Sequence, residues 1–349
     1  MRWITLSDLE REPVLEAIDD FWRAFSERVD RIDALFRMHD RWDLVAWMNE
    51  HLAPITPGLL WEFGPGPEGA GGHRLVITPE SVRSKRAVVA TLMERAPELP
   101  GWAFSSARPP AGPEIAANFV EHRVGVKLAG ASIGVEPAED HRIGVRWHIP
   151  EASAQGVFDA AFVATERLLG ERMLDDWVGA IEPADSSEGL RTWETLPVLF
   201  HGARNTVLRS LPDLPFHERP PDETPSAMWK LEDATQNDLI VARSTHPAMW
   251  KAARTSPMFV SERFSRHGER FATLRLETRD KYELEEALDA RLRQDELGAV
   301  TGGGAGGDFS TIDIALVDVR RGMDVVKPLA ARMATLRFLD ADLEDEGLP

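Results

Sequence analysis

The first part of the chain carries an apolar stripe at helical spacing. Apolar side chains recur every three or four positions with charged residues between them, a pattern typical of an amphipathic helix. Pro13 stands near its start, where proline is common in helices. A shorter stripe follows and ends before Pro54 and Pro57. The pattern predicts an N-terminal helical hairpin over residues 1–55. The first stripe consists of Leu15, Ile18, Trp22, Phe25, Val29, Ile32 and Phe36.

This stripe has two interpretations. It is the buried face of a helix that packs on its own domain, or it is the seam of a coiled-coil dimer. It is only about three heptads long, which favours packing within the chain. The oligomeric state stays open.

Residues 56–185 show the same succession of patterns twice, and each time it indicates two strands, a helix and a third strand. Thr78-Pro79 is a typical helix start in the first copy. The succession predicts a duplicated ββαβ domain, in which the copies pair into one mostly antiparallel sheet with helices on one face. The strands of the second copy are expected at residues 121–128, 141–149 and 177–181.

The remainder of the chain divides into an unclear part and a clear part. Residues 186–268 contain a proline-rich stretch and weak periodicity, so they are interpreted as an irregular linker region with short elements. Residues 269–349 alternate between strand and helix patterns in the order βαββαβ, which predicts a C-terminal ferredoxin-like domain. The expected fold class is therefore α+β.

A glycine-rich run, residues 301–308, matches the G-x-G-x-x-G pattern of dinucleotide-binding loops. Such a loop must open a helix, because the pyrophosphate binds at a helix N-terminus. The residues after position 309 instead alternate between apolar and polar, as in a strand. We therefore expect a hairpin with a long, mobile turn, and no cofactor. The glycines of the match are Gly302, Gly304 and Gly307.

Composition limits the classes of partner. The chain has 349 residues, 43% of them hydrophobic, and a formal net charge of −18. Such a charge argues against binding to nucleic acid or to anionic lipid, both of which attract clustered basic residues. It is consistent with a solvated acidic surface or with a basic protein partner. With no cysteine, no signal-peptide pattern and no long apolar run, a cytoplasmic protein without disulfides is expected.

No motif for catalysis or for a metal site stands out. Ser132 lies in a G-x-S-x-G match, but a nucleophile elbow needs a following helix and the next residues indicate a strand. The ten histidines do not cluster, so neither catalytic residues nor a metal site are predicted. Five residues are candidates for a binding surface. Glu62 is expected to face His73 or Arg74 across the first hairpin, as a binding group or as a plain ion pair. Trp229 and Trp250 are candidates to line a groove, with core packing as the alternative.

Three segments of the first ββαβ copy resemble a family of uncharacterised bacterial proteins with a domain of unknown function. They are Trp61-Glu62-Phe63-Gly64-Pro65, the run from His73 to Glu80, and Leu99-Pro100-Gly101-Trp102. The resemblance covers about residues 40–185 and implies no known activity and no catalytic residues. The C-terminal βαββαβ pattern is similar in topology to small regulators such as the ribonuclease E activity regulator of the B type. That similarity implies an acidic inhibitor of a basic nucleic-acid enzyme.

Two functions follow as hypotheses. The first is a protein-interaction or regulatory module, of the kind of an immunity-like inhibitor, because the chain is acidic and lacks a catalytic motif. The second is an enzyme or small-ligand binder with its site in a cleft between the two sheet domains.

Overall fold

The fold is α+β, as predicted, with helices and three separate sheets. The chain divides into two compact units: Met1–Arg108 with Ala341–Gly347, called unit 1, and Pro109–Asp340 with Leu348–Pro349, called unit 2. The computed structural model describes residues 8–67, 71–150, 152–220, 226–231, 239–255, 258–330, 334–345 and 348.

Unit 1 contains one long helix, two helices of nine residues each and a three-stranded sheet. The sheet order is β1-β2-β3, with β1 antiparallel and β3 parallel to β2. The elements are α1 (Asp8–Phe36), α2 (Leu44–Leu52), β1 (Leu60–Pro65), β2 (His73–Thr78), α3 (Arg86–Glu94) and β3 (Trp102–Ser105).

The apolar stripe of α1 is buried within unit 1. Ile18, Phe25 and Ile32 are fully buried in a core that also contains residues of α2, β2 and α3. The indole of Trp22 donates a hydrogen bond of 2.8 Å to the carbonyl of Leu92 in α3. Packing within the chain is thus confirmed for this stripe, and its apolar face is already used inside one unit.

The N-terminal part of unit 2 contains the second ββαβ succession. Strands β4, β5 and β6 repeat the pairing of β1, β2 and β3, first antiparallel and then parallel, and a two-residue strand, β7, extends the sheet. The buried Trp147 donates from its indole to Thr165 at 3.1 Å and so ties the sheet to a covering helix. The elements are α4 (Pro113–Val124), β4 (Ser132–Pro137), β5 (Ile143–His148), α5 (Ala154–Leu169), α6 (Glu171–Trp177), β6 (Val178–Pro183), β7 (Arg191–Thr192) and α7 (Leu196–Ser210).

Two expectations for this region are wrong. Residues 121–128 do not form a strand, because residues up to Val124 complete helix α4, whose buried face is only Ala116 and Val120. The first strand of the second copy is β4 instead. The two copies also do not share a sheet, since β1-β2-β3 and β6-β5-β4-β7 are separate.

The C-terminal part of unit 2 is built on a six-stranded sheet. Its order is β13-β10-β12-β11-β9-β8, and every neighbouring pair is antiparallel. The predicted βαββαβ succession is present from β10 to β13, and the sheet continues into two strands from the region 186–268. The elements are β8 (Ala227–Lys230), β9 (Val241–Ser244), α8 (Pro247–Thr255), β10 (Arg270–Leu276), α9 (Tyr282–Gln294), β11 (Gly298–Ala305), β12 (Ser310–Leu316), α10 (Val319–Ala330) and β13 (Ala334–Phe338).

The glycine run forms the predicted hairpin, but not the predicted long, mobile turn. Strand β11 includes Gly302, Gly303 and Gly304, all buried between β9 and β12, and the turn is confined to the residues between Gly306 and Phe309. The expectation failed because small residues indicate flexibility only where they are exposed. Here they let neighbouring backbones approach closely, and a β-bulge follows Val300.

Candidate functional site

Two of the predicted binding residues, Trp229 and Trp250, form a stacked pair in unit 2. Their ring centroids are 4.3 Å apart and their planes differ by 8°. Trp229 comes from β8, where burial alternates along the strand, and its register partner in β9 is the buried Ala242. Leu239, Ala242 and Phe309 form a small core under the pair. Stacking of this kind adds to the stability given by burial alone.

Helix α8 carries Trp250 and is fixed at its start by His246. The Nδ1 atom of His246 accepts a hydrogen bond of 3.3 Å from the backbone N–H of Met249, in the manner of an N-cap. Its Nε2 atom donates to the carbonyl of Phe264 at 3.0 Å. Burial of the ring lowers the pKa of His246 to about 4. The ring is therefore neutral near pH 7, which is the state that this pair of hydrogen bonds requires.

The stacked indoles line a cleft of about 600 Å³. One wall is α8, and the opposite wall is the turn between β4 and β5. The cleft therefore lies between the two sheets of unit 2. The lining residues that matter here are Glu139, Asp140, Trp229, Pro247, Trp250 and Lys251.

The two walls are tied together below the cleft by His141. Its Nδ1 atom donates to the carbonyl of Arg263 at 2.6 Å, and its ring lies 5.1 Å from the ring of Phe264. His246 binds the same short segment through Phe264. The β4–β5 turn and the start of α8 therefore share one anchor, which sets the width of the cleft.

The cleft carries charged groups of both signs. Glu139 and Asp140 lie on one wall, and Lys251 is the one basic side chain in the lining described. Arg254, one turn along α8 from Trp250, places its guanidinium carbon 5.2 Å from the indole centroid. Trp250 therefore already makes a cation–π contact within the chain, an interaction worth about 0.5–2 kcal/mol in proteins, and stacks on Trp229 as well.

The other three predicted residues lie on the β1–β2 hairpin of unit 1, and each contacts different residues. The register places Glu62 opposite Val76, and its carboxylate pairs with Arg108 at 3.2 Å. The expected pairing of Glu62 with His73 or Arg74 is therefore wrong, because those residues oppose Pro65 and Gly64.

His73 is bonded to helix α1. Its Nε2 atom is 2.9 Å from the carboxylate of Asp33, and this hydrogen bond lowers the pKa of Asp33. The guanidinium of Arg74 lies over Gly64, and its buried Nε has no hydrogen-bond partner among the described atoms. A shared binding role for Glu62, His73 and Arg74 stays a prediction.

The sequence did not predict the acidic wall of the cleft. Glu139 and Asp140 look like ordinary turn residues, since acidic residues are common there. They line the cleft only because the fold places them near α8, which lies more than 100 residues further along the chain.

The described residues show no other site of obvious chemistry. They include no group of three or more histidine, aspartate or glutamate side chains arranged to hold a metal ion. Nor does any described helix combine the length and apolar character needed to cross a membrane. Comparisons of the chain with protein families, with curated proteins and with solved structures find no match.

Proposed function

We propose that the protein is an interaction module whose cleft, between α8 and the β4–β5 turn, binds a basic side chain of a protein partner. The observation that carries the proposal is that the stacked pair of Trp229 and Trp250 lines the same cleft as Glu139 and Asp140. Indole faces attract cations, and the carboxylates supply the opposite charge. A lysine or arginine side chain offers both the cation and an apolar stem.

The overall charge also favours a basic partner. With a formal net charge of −18, the protein repels acidic partners and attracts basic ones over a distance. This would raise the rate of encounter, while the cleft would determine which side chain is retained. A regulator or immunity-like inhibitor of a basic enzyme is a function of this class.

Catalysis is a weaker proposal for the same cleft. The described lining holds no nucleophile beside a general base, and His246, under α8, is committed to two backbone hydrogen bonds. The volume of about 600 Å³ does lie in the range of small-molecule sites, so a small organic cation is the second candidate.

Replacement of either indole is expected to weaken the binding of basic peptides. The probes are short peptides of alternating arginine and glycine, or lysine and glycine, with glutamate–glycine peptides for comparison. In Trp229→Leu or Trp250→Leu, affinity for the basic peptides should fall about tenfold or more, because a cation–π contact and its aromatic surface are lost. Isothermal titration calorimetry measures the change.

Trp42→Leu provides the matched control. Trp42 also lies under an arginine, with the Arg31 guanidinium carbon 4.8 Å from the ring, but it belongs to unit 1. Its replacement should leave peptide affinity unchanged. If all three variants lose affinity equally, or if glutamate peptides bind as tightly as basic ones, the proposal is wrong. If the free side-chain analogue butylguanidinium binds as tightly as the peptides, the small-molecule candidate is favoured.

A further inference from the structure

A second cavity in unit 2, of about 420 Å³, lies against one face of helix α9. It is separate from the tryptophan cleft, with which it shares no lining residue. Its walls carry charges of both signs, and two of the charged groups, Arg219 and Glu286, form no ion pair with the other described residues. The residues that matter are Phe216, Arg219, Arg243, Tyr282, Glu286 and Asp289.

Arg219 lines this cavity, and the buried carboxylate of Glu269 is close enough to act on its guanidinium electrostatically. The guanidinium carbon lies 3.7 Å from the centroid of the Phe216 ring, and Nε donates to the carbonyl of Leu214 at 2.8 Å. None of the described carboxylates forms an ion pair with it. Burial lowers the pKa of Arg219, in keeping with a guanidinium in a poorly solvated wall. No hydrogen bond among the described residues uses its two terminal nitrogens, which have the geometry to donate to a planar anion.

The segment that carries Arg219 is fixed to α9 by Arg293. The Nη1 atom of Arg293 is within 3.0 Å of the carbonyls of Phe216, His217 and Arg219. Its Nε donates to Asp289 at 2.8 Å. This arrangement fixes the backbone of Arg219 before any ligand arrives, which lowers the entropy lost on binding.

The balance of charge decides which anion fits. Arg219, Arg243 and Arg293 are matched in number by Glu285, Glu286 and Asp289. Glu285 lies between Lys281 at 3.0 Å and Arg243 at 3.5 Å, and Asp289 pairs with Arg293. Exposed Glu286 has no ion-pair partner among the described residues. A doubly charged phosphate would meet three carboxylates here, whereas a ligand with one carboxylate and one ammonium would satisfy Arg219 and Glu286 together.

We propose that this cavity binds a free α-amino acid, with its carboxylate on Arg219 and its ammonium group toward Glu286. The volume is sufficient for a ligand of that size. Tyr282, the single tyrosine of the chain, lines the same cavity and offers an aromatic surface to the amino-acid side chain.

The experiment is a calorimetric screen of the twenty L-amino acids against the full-length protein. Each amino acid that binds is then compared with its amide, which lacks the carboxylate, with the matching acid that lacks the amine, and with inorganic phosphate. Binding of at least one amino acid is expected, with the amide and the amine-free acid each weaker by about tenfold or more. Absence of any binding, equal binding of the amide, or tighter binding of phosphate overturns the proposal.

Two variants assign the binding to this cavity. Arg219→Gln and Glu286→Gln should each weaken the amino acid by about tenfold. The controls are Arg209→Gln in α7 and Glu283→Gln in α9, two exposed residues outside the lining described. Should Arg219→Gln fail to fold, Glu286→Gln still decides, because Glu286 is exposed on a helix surface. Unchanged affinity in Glu286→Gln overturns the site.

This proposal does not depend on the tryptophan cleft. Trp250→Leu is expected to bind the amino acid with wild-type affinity while losing the basic peptides. A loss of both in that variant would mean that the two cavities are not independent, and would overturn the assignment of the amino acid to the α9 cavity.

Discussion

Replacement of Gly302 by alanine is expected to destabilise unit 2 by about 3 kcal/mol or more. A Cβ atom at this position would lie 2.1 Å from the carbonyl oxygen of Arg243 and 2.8 Å from the Cα of Ser244. Both are backbone atoms of the neighbouring strand β9, so no side-chain rotation relieves the clash. The sheet must separate locally, which breaks the β9–β11 pairing. Differential scanning calorimetry should show the melting temperature of unit 2 lowered by roughly 6–12 °C.

Gly202→Ala is the matched control for this substitution. Gly202 is exposed in helix α7, and a Cβ atom there would have nothing within 4 Å. Because alanine favours the helix over glycine, this variant should be more stable by about 0.5–1 kcal/mol. An unchanged melting temperature for Gly302→Ala would contradict the close packing of the glycine strand.

The stability of unit 2 is expected to fall steeply between pH 6.5 and pH 4 because of His246. Burial lowers the pKa of this ring in the folded protein to about 4, from an ordinary value of 6.5. Between these pH values the imidazole of His246 is protonated in the unfolded chain but not in the folded protein. The free energy of unfolding therefore decreases as the pH decreases. At about 1.4 kcal/mol for each pH unit, the loss between pH 7.5 and pH 5 is about 2 kcal/mol.

His246→Asn separates this effect from the titration of other groups. Asparagine is a good N-cap and keeps an acceptor for the N–H of Met249, but it does not titrate. At pH 7.5 the variant should be less stable by about 1 kcal/mol, since the bond to Phe264 is lost. At pH 5 it should equal or exceed the wild-type protein, as measured by urea unfolding. A constant difference between the two proteins across this range would contradict a neutral, buried His246.

The buried carboxyl of Asp313 acts in the opposite direction. Burial raises its pKa, although the hydroxyl of Thr273 donates to it at 2.7 Å. The folded protein therefore binds this proton more readily than the unfolded chain, and the contribution of Asp313 to stability decreases as the pH rises above 3.8. Because Asp313 is present in both proteins, it cancels from the comparison with His246→Asn.

Periodicity predicted those parts of the fold in which one face of an element is buried. The stripe of α1 and that of α9 show this period of burial. The strand after the glycine run was assigned from its sequence alternation, although every residue of β12 is buried. Helix α4 was missed because only two of its twelve residues are buried, which leaves almost no stripe. A short apolar run of that kind does not distinguish a strand from a helix.

The sequence predicted the two tryptophans of the candidate site but not its two carboxylates. Trp229 and Trp250 were predicted as groove-lining candidates, with core packing as the alternative, because they fall in the poorly defined middle of the sequence. Their stacking depends on β8 and α8 meeting, and the region 186–268 has no pattern strong enough to predict that contact. The carboxylates of Glu139 and Asp140 come from a distant turn, and only the tertiary packing of His141 brings them to the cleft.

The glycine run shows the limit of motif matching. The strand that was predicted after the G-x-G-x-x-G match is present as β12. The same glycines were wrongly expected to be mobile, because sequence alone does not tell whether a small residue faces solvent or a neighbouring backbone. Only the pairing of β9 with β11 shows that these glycines are buried against a neighbouring backbone.

The most direct test of the proposed function compares arginine with citrulline in otherwise identical peptides. Citrulline keeps the shape of arginine and removes its charge, so the comparison isolates the cation that the indole pair and the acidic wall are proposed to bind. We predict that the wild-type protein binds an arginine–glycine peptide about tenfold or more tightly than its citrulline counterpart, and that this preference is smaller in Trp250→Leu, as measured by calorimetry. Equal affinity of the wild-type protein for both peptides would contradict the proposal.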